Sequence, residues 1–105
     1  MNNANDNTLD LYRARRREST AVVTVLGRDQ KGIIAKVSAV LYEYGVNILD
    51  LSQTVIGDVF NMVMLVDVGS GDFNAIQTRL ETLGETICQQ IRIQRSAIFD
   101  AMHRV

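Results

Sequence analysis

Apolar residues along this chain alternate between two rhythms. Ala21-Val22-Val23-Thr24-Val25-Leu26 is a short, β-branched, nearly continuous apolar run. It predicts a central strand buried on both faces. Ile33, Ile34, Val37, Val40, Leu41 and Tyr44 then recur at helical spacing, with Lys36, Ser38 and Glu43 largely off the stripe. This is an amphipathic helix that starts near Gly32 and is closed by Gly45. The second strand runs from Val46 to about Val55. Val46 and Ile48 share one face and Leu49 and Leu51 take the other, a slip of phase that predicts a bulge or an edge strand with a second contact surface. Asp50, Ser52 and Thr54 then share a face, with Gln53 opposite. Ile56-Gly57-Asp58 is a tight turn. In the third strand, Val59 to Val68, residues Phe60, Met62, Met64, Val66 and Val68 lie on one face. Val59, Asn61, Val63, Leu65 and Asp67 lie on the other, so the second and third strands form an antiparallel hairpin.

Gly69-Ser70-Gly71 is a turn, and Asp72 is an N-cap. Phe73, Ile76, Leu80 and Leu83 give the second helix its core face, and Gly84 is expected to end it. The fourth strand covers Ile87 to Gln94, with Ile87, Gln89, Ile91 and Ile93 on one side and Cys88, Gln90, Arg92 and Gln94 on the other. Ser96 caps a last short helix, Ala97 to about His103. Strand, helix, strand, strand, helix, strand is compact as an α+β, ferredoxin-like βαββαβ sandwich. Its sheet is four-stranded and antiparallel, both helices lie on one face, and the first and third strands are central. The open face would still show Val63 and Leu65, which suggests a partner surface.

Composition narrows the classes. With 105 residues, 47% hydrophobic and 22% charged, the chain suits one small domain with one core. A net charge of −1 argues against a dedicated nucleic-acid binder. No apolar run approaches the roughly 20 residues of a membrane span, and the Asn-rich start has no signal-peptide core. Cys88 is the sole cysteine, which excludes an intrachain disulfide and a cysteine metal cluster. A cytoplasmic protein is the simplest reading. There is no proline, hence no rigid proline linker. Residues 1–20 differ from the domain at 21–105. Asn2, Asn3, Asn5 and Asn7 build no core, and Arg13, Arg15, Arg16 and Arg17 form a basic cluster diluted by Asp6, Asp10 and Glu18. That tail reads as solvated and partly helical, or as a contact arm for an acidic surface or nucleic acid.

The candidate chemistry lies in Leu26-Gly27-Arg28-Asp29-Gln30-Lys31-Gly32-Ile33-Ile34, answered by Gly45-Val46-Asn47-Ile48. The N–H groups at a helix start, aided by the helix dipole, are suited to an anion. Gly32 lets a ligand or a neighbouring backbone come close, and Asn47 offers both a donor and an acceptor. A pocket for a small zwitterion, an amino acid, fits these groups. The plain alternative is a strand–turn–helix joint with Asp29 as N-cap, which is the commoner local structure.

The order of elements, the Asp29-x-x-Gly32 turn and the Gly45-x-Asn47-Ile48 junction together resemble the ACT domain, over Ala21 to about Gln94. Ser52-Gln53-Thr54-Val55 and the tail Ser96-Ala97-Ile98-Phe99-Asp100-Ala101-Met102 resemble more closely the small stand-alone ACT proteins of the UPF0237 group. The resemblance implies a ligand-binding regulatory module and not an enzyme. It implies an amino acid or related effector at a subunit interface, held by Asp29, Gly32, Ile33, Ile34, Asn47 and Ile48. The apolar open sheet face and the phase slip in Val46–Val55 predict a symmetric homodimer, through strand-edge pairing or through packing of open sheet faces. No attached catalytic domain is present in this sequence, so regulation would act on a separate protein. No metal or cofactor is implied.

Other readings of the topology are weaker. An acylphosphatase-like phosphate hydrolase would use Arg28 and Asn47, but its glycine-rich loop is not matched. A pure dimerisation module without ligand fits the same residues. An RNA-binding sheet needs stacking aromatics on its open face, and only Phe60 is at hand, with core parity. A metal chaperone needs a two-cysteine loop. Lone His103 reads as a surface residue, Cys88 as half-buried packing, and Met62 and Met64 as core filling.

Overall fold

The computed structural model describes residues 19–96. The tail reading for residues 1–18 and the helix and His103 readings for residues 97–105 lie outside them. The elements are β1 (Thr20–Arg28), α1 (Ile33–Glu43), β2 (Asn47–Ile56), β3 (Val59–Asp67), α2 (Phe73–Ile87) and β4 (Gln89–Arg95). The strands form one antiparallel sheet in the order β2-β3-β1-β4, so β1 and β3 are central as expected.

Parity explains the layering. Ala21, Val23 and Val25 of β1 stand opposite Val66, Met64 and Met62 of β3. All six are fully buried beneath Val37, Val40, Leu41, Ile76 and Leu80 of the two helices. The other face carries no helix. Val22 is buried there, but Leu26, Val63 and Leu65 are 46%, 42% and 37% exposed. The expectation that β1 is buried on both faces is thus corrected: its helix side is sealed and its open side only shielded by neighbouring strands.

The slip of phase in β2 is a bulge. The register against β3 shifts between Ile48 and Asp50, so Leu49 is the extra residue. Ile48 then faces Val66 and Leu51 faces Met64, which puts both on the helix side. Even so, Ile48, Leu51 and Val55 stay exposed on this edge strand.

The helix ends are partly as expected. Leu41 C=O accepts from Val46 N–H at 2.9 Å and Tyr42 C=O from Gly45 N–H at 3.0 Å, with Gly45 at φ 69°. This pair of bonds around a left-handed residue is the Schellman closure. Asp72 caps α2 by accepting from Ala75 N–H at 3.2 Å. Gly84, however, does not end α2, which continues to Ile87 and closes on Cys88 at φ 58°. Gly84 lies where the helix backbone touches β4: a Cβ there would sit 2.5 Å from Gln89 O. Cys88 is exposed, not half-buried, because it occupies the turn and not the strand.

Candidate functional site

The site is built at the joint between β1 and α1. Asp29 N–H donates to Asp58 C=O at 2.7 Å, which ties this joint to the β2–β3 hairpin turn. Two glutamines brace it from the other side. Gln30 Nε2 donates to Ile87 C=O and Gln89 Nε2 donates to Arg28 C=O, each at 2.7 Å. Gln89 is buried on the apolar face of β4, and its Oε1 is buried without a hydrogen-bond partner. Its amide lies over Gly27, where a Cβ would come within 2.5 Å of Oε1. These crossed bonds join the turn to the α2–β4 junction, so the start of α1 has a fixed seat. Sequence reasoning missed both glutamines. The available signal was an amide, Gln89, among the isoleucines of an apolar strand face.

Helix α1 begins from Gly32, at φ 83° and ψ 9°, and no side chain caps it. The expectation of Asp29 as N-cap is therefore corrected: the left-handed glycine makes the turn and occupies the cap position. The first helical bond is Lys36 N–H to Gly32 C=O at 2.9 Å. The N–H groups of Ile33, Ile34 and Ala35 precede it and so lack an intrahelical acceptor by construction. They lie at the positive end of the helix dipole.

These residues line a cavity of about 220 Å³, with Asp29 and Gln30 from the turn. Its other wall is Gln53 and Val55 of β2 and Phe60 of β3. Strand pairing supplies that second wall, which sequence reasoning missed; Val55 and Phe60 are direct cross-strand partners. The only hint was Gln53, the polar residue on the helix-side parity of β2. A wider groove of about 680 Å³ lies between α2 and β4, among Glu81, Glu85, Cys88 and Arg92, and holds none of the ligand-site residues expected from sequence.

Asp29, Gly32, Ile33 and Ile34 thus meet at one cavity. Asn47 and Ile48 do not join them within one protomer. They pair with Asp67 and Val66, whereas Gln53 pairs with Met62. Five residues of β3 separate the two places, about 17 Å at strand rise. Arg28 and Asn47, the pair a phosphate hydrolase would use, are farther apart still: Arg28 is level with Val59 and Asn47 with Asp67. Arg28 instead lies 4.0 Å from the Asp58 carboxylate, both side chains being largely exposed. Among the described residues no three His, Cys, Asp or Glu side chains converge as a metal site, and no helix is long and apolar enough to cross a membrane.

Gly32 is held by conformation more than by space. An added Cβ would meet only Lys36 Cε, at 3.8 Å, but its φ of +83° strains any L side chain. Gly32→Ala is expected to destabilise the domain by about 1 kcal/mol. A urea titration compared with the wild type measures this, and an unchanged midpoint would refute it.

This fold, with an uncapped helix start opening on a small cavity, is suited to binding a small ligand. The ACT domain model matches residues 19–94. A UPF0237 protein of Bifidobacterium longum is 48% identical over 81% of this chain and 97% of its own. The solved ACT domain protein from Streptococcus pneumoniae is 41% identical, with a TM-score of 0.69 over 80% of this chain and 97% of that one. A putative glycine cleavage system transcriptional repressor is 26% identical, with a TM-score of 0.67, over 72% of this chain and 44% of its own length. The chain belongs to the ACT domain family, within its UPF0237 group.

Proposed function

We propose that the chain is an amino-acid sensor that works as a cytoplasmic homodimer on a separate partner protein and has no catalysis of its own. The observation that carries this is the start of α1. Its left-handed Gly32 replaces a side-chain cap, so the N–H groups of Ile33, Ile34 and Ala35 are available to a carboxylate beside the cavity. Asp29, relieved of capping, receives the ammonium group.

The dimer unites the two halves of the site. β2 is an edge strand with a row of unpaired backbone groups and an uncovered apolar side. When β2 pairs antiparallel with β2 of a second copy about a two-fold axis near Leu51, Asn47 of one copy comes level with Val55 of the other. Asn47 and Ile48 then close the cavity that Gln53 and Val55 wall. The two equivalent sites lie at the seam, where occupancy and assembly are coupled. The relationship to a putative transcriptional repressor supports a regulatory role.

The test is a thermal-shift screen of the twenty amino acids, followed by calorimetry on the best of them. Asn47→Ala is expected to weaken binding by about 1–3 kcal/mol, the value of hydrogen bonds to a charged ligand. Equal affinity in wild type and variant would exclude Asn47 from the site. No melting-temperature rise with any amino acid would favour the ligand-free dimerisation module.

A further inference from the structure

We infer that the effector carries an uncharged aliphatic side chain and that Gln53 is the residue that enforces this; the inference rests on the amino-acid reading above. On β2 the residues facing Val66, Met64, Met62 and Phe60 are Ile48, Leu51, Gln53 and Val55. Gln53 is the one polar side chain of that set, and it walls the cavity beside Val55. The floor is the Phe60 ring, 4% exposed, and α1 contributes Ile34 and Ala35. A ligand side chain that enters between them leaves water for aliphatic carbon, an aromatic ring and a neutral amide.

A charged group would lose its hydration there and gain no counter-charge, which is strongly unfavourable. Asp29 is the sole ionisable lining residue, and it belongs to the turn, where the ligand's ammonium is held. The amide of Gln53 can hydrogen-bond without charge, whereas a carboxylate in its place would hold a cation.

Calorimetry on the full chain with glycine, leucine, aspartate and lysine tests the inference. Leucine is expected to bind about 30-fold or more tighter than glycine, from burial of its carbons. It is also expected to exceed aspartate and lysine by at least about tenfold. Gln53→Glu is expected to improve lysine relative to leucine by about tenfold. Gln53 is exposed, and a melting curve of the variant checks that it folds as the wild type does. Binding of glycine and leucine with equal affinity, or preference for aspartate or lysine, would overturn the inference and leave the amino-acid reading standing. An unchanged lysine-to-leucine ratio in Gln53→Glu would remove Gln53 from the role. Binding of none of the four would overturn both this inference and the reading beneath it.

Discussion

Gly84→Val should destabilise the domain by about 3 kcal/mol or more and lower its melting temperature by roughly 15 °C. The cause is a backbone contact. The added Cβ would stand 2.5 Å from Gln89 O and 3.4 Å from Ile91 Cγ1, and a strand carbonyl cannot swing aside as a side-chain tip can. Helix α2 must lift from β4, which loosens Leu80, Leu83 and Ile87, all buried against the sheet. The crossed amide bonds Gln30–Ile87 and Gln89–Arg28 span the same joint, so the β1–α1 turn should lose its seat as well. Glu85→Val, one residue along and exposed, is the control and should change stability by no more than about 0.5 kcal/mol. Thermal melts by circular dichroism measure both. A Gly84→Val protein melting within a few degrees of the wild type would contradict the close approach of α2 to β4.

The second large effect concerns assembly. Leu51→Lys is expected to convert the proposed dimer into an 11.7 kDa monomer at tens of micromolar. Pairing of β2 with its copy places residue 51 next to residue 51 of the partner, so two ammonium groups would meet in the seam. Like charges brought together at an interface cost several kcal/mol, enough to weaken association about 100-fold or more. Leu51 is 37% exposed in the protomer and lies outside the buried core, so the fold itself should persist. Ligand affinity should fall with the dimer, because the monomer keeps the turn but loses the second copy's Asn47. Light scattering and calorimetry on the same samples decide it. A Leu51→Lys protein that remains dimeric would exclude β2 as the seam. A monomer that binds as tightly as the wild type would place the whole site within one chain.

The crossing of sequence and structure is clearest at four of the glycines. Gly45 is legible from its place after a helical stripe, since a helix that stops must leave its last carbonyls to a left-handed residue. Gly57 is legible as a two-residue hairpin turn, because the alternating strands on either side leave no other connection. Gly84 looks the same on paper and behaves differently: it lies within α2, and what it meets is a strand that follows five residues later. Gly32 reads as an open approach, yet the structure shows a backbone conformation that takes the cap position from Asp29.

The sequence alone determined the order of elements, the central strands, the phase slip in the second strand, the Asp72 cap and the sealed face of the sheet. Each of these follows from periodicity or from a local capping bond, and both are properties of neighbouring residues. Tertiary structure decided how far α2 runs, which amides brace the β1–α1 turn, and that Gln53, Val55 and Phe60 form the second wall of the cavity. It also separated Asn47 and Ile48 from Asp29 and Gly32, two halves of a motif that lie close in sequence. Those outcomes depend on the distance between chain segments and on strand register, which no local pattern encodes. A period of two says which way a side chain points, and only the pairing of β2 with β3 says what it points at.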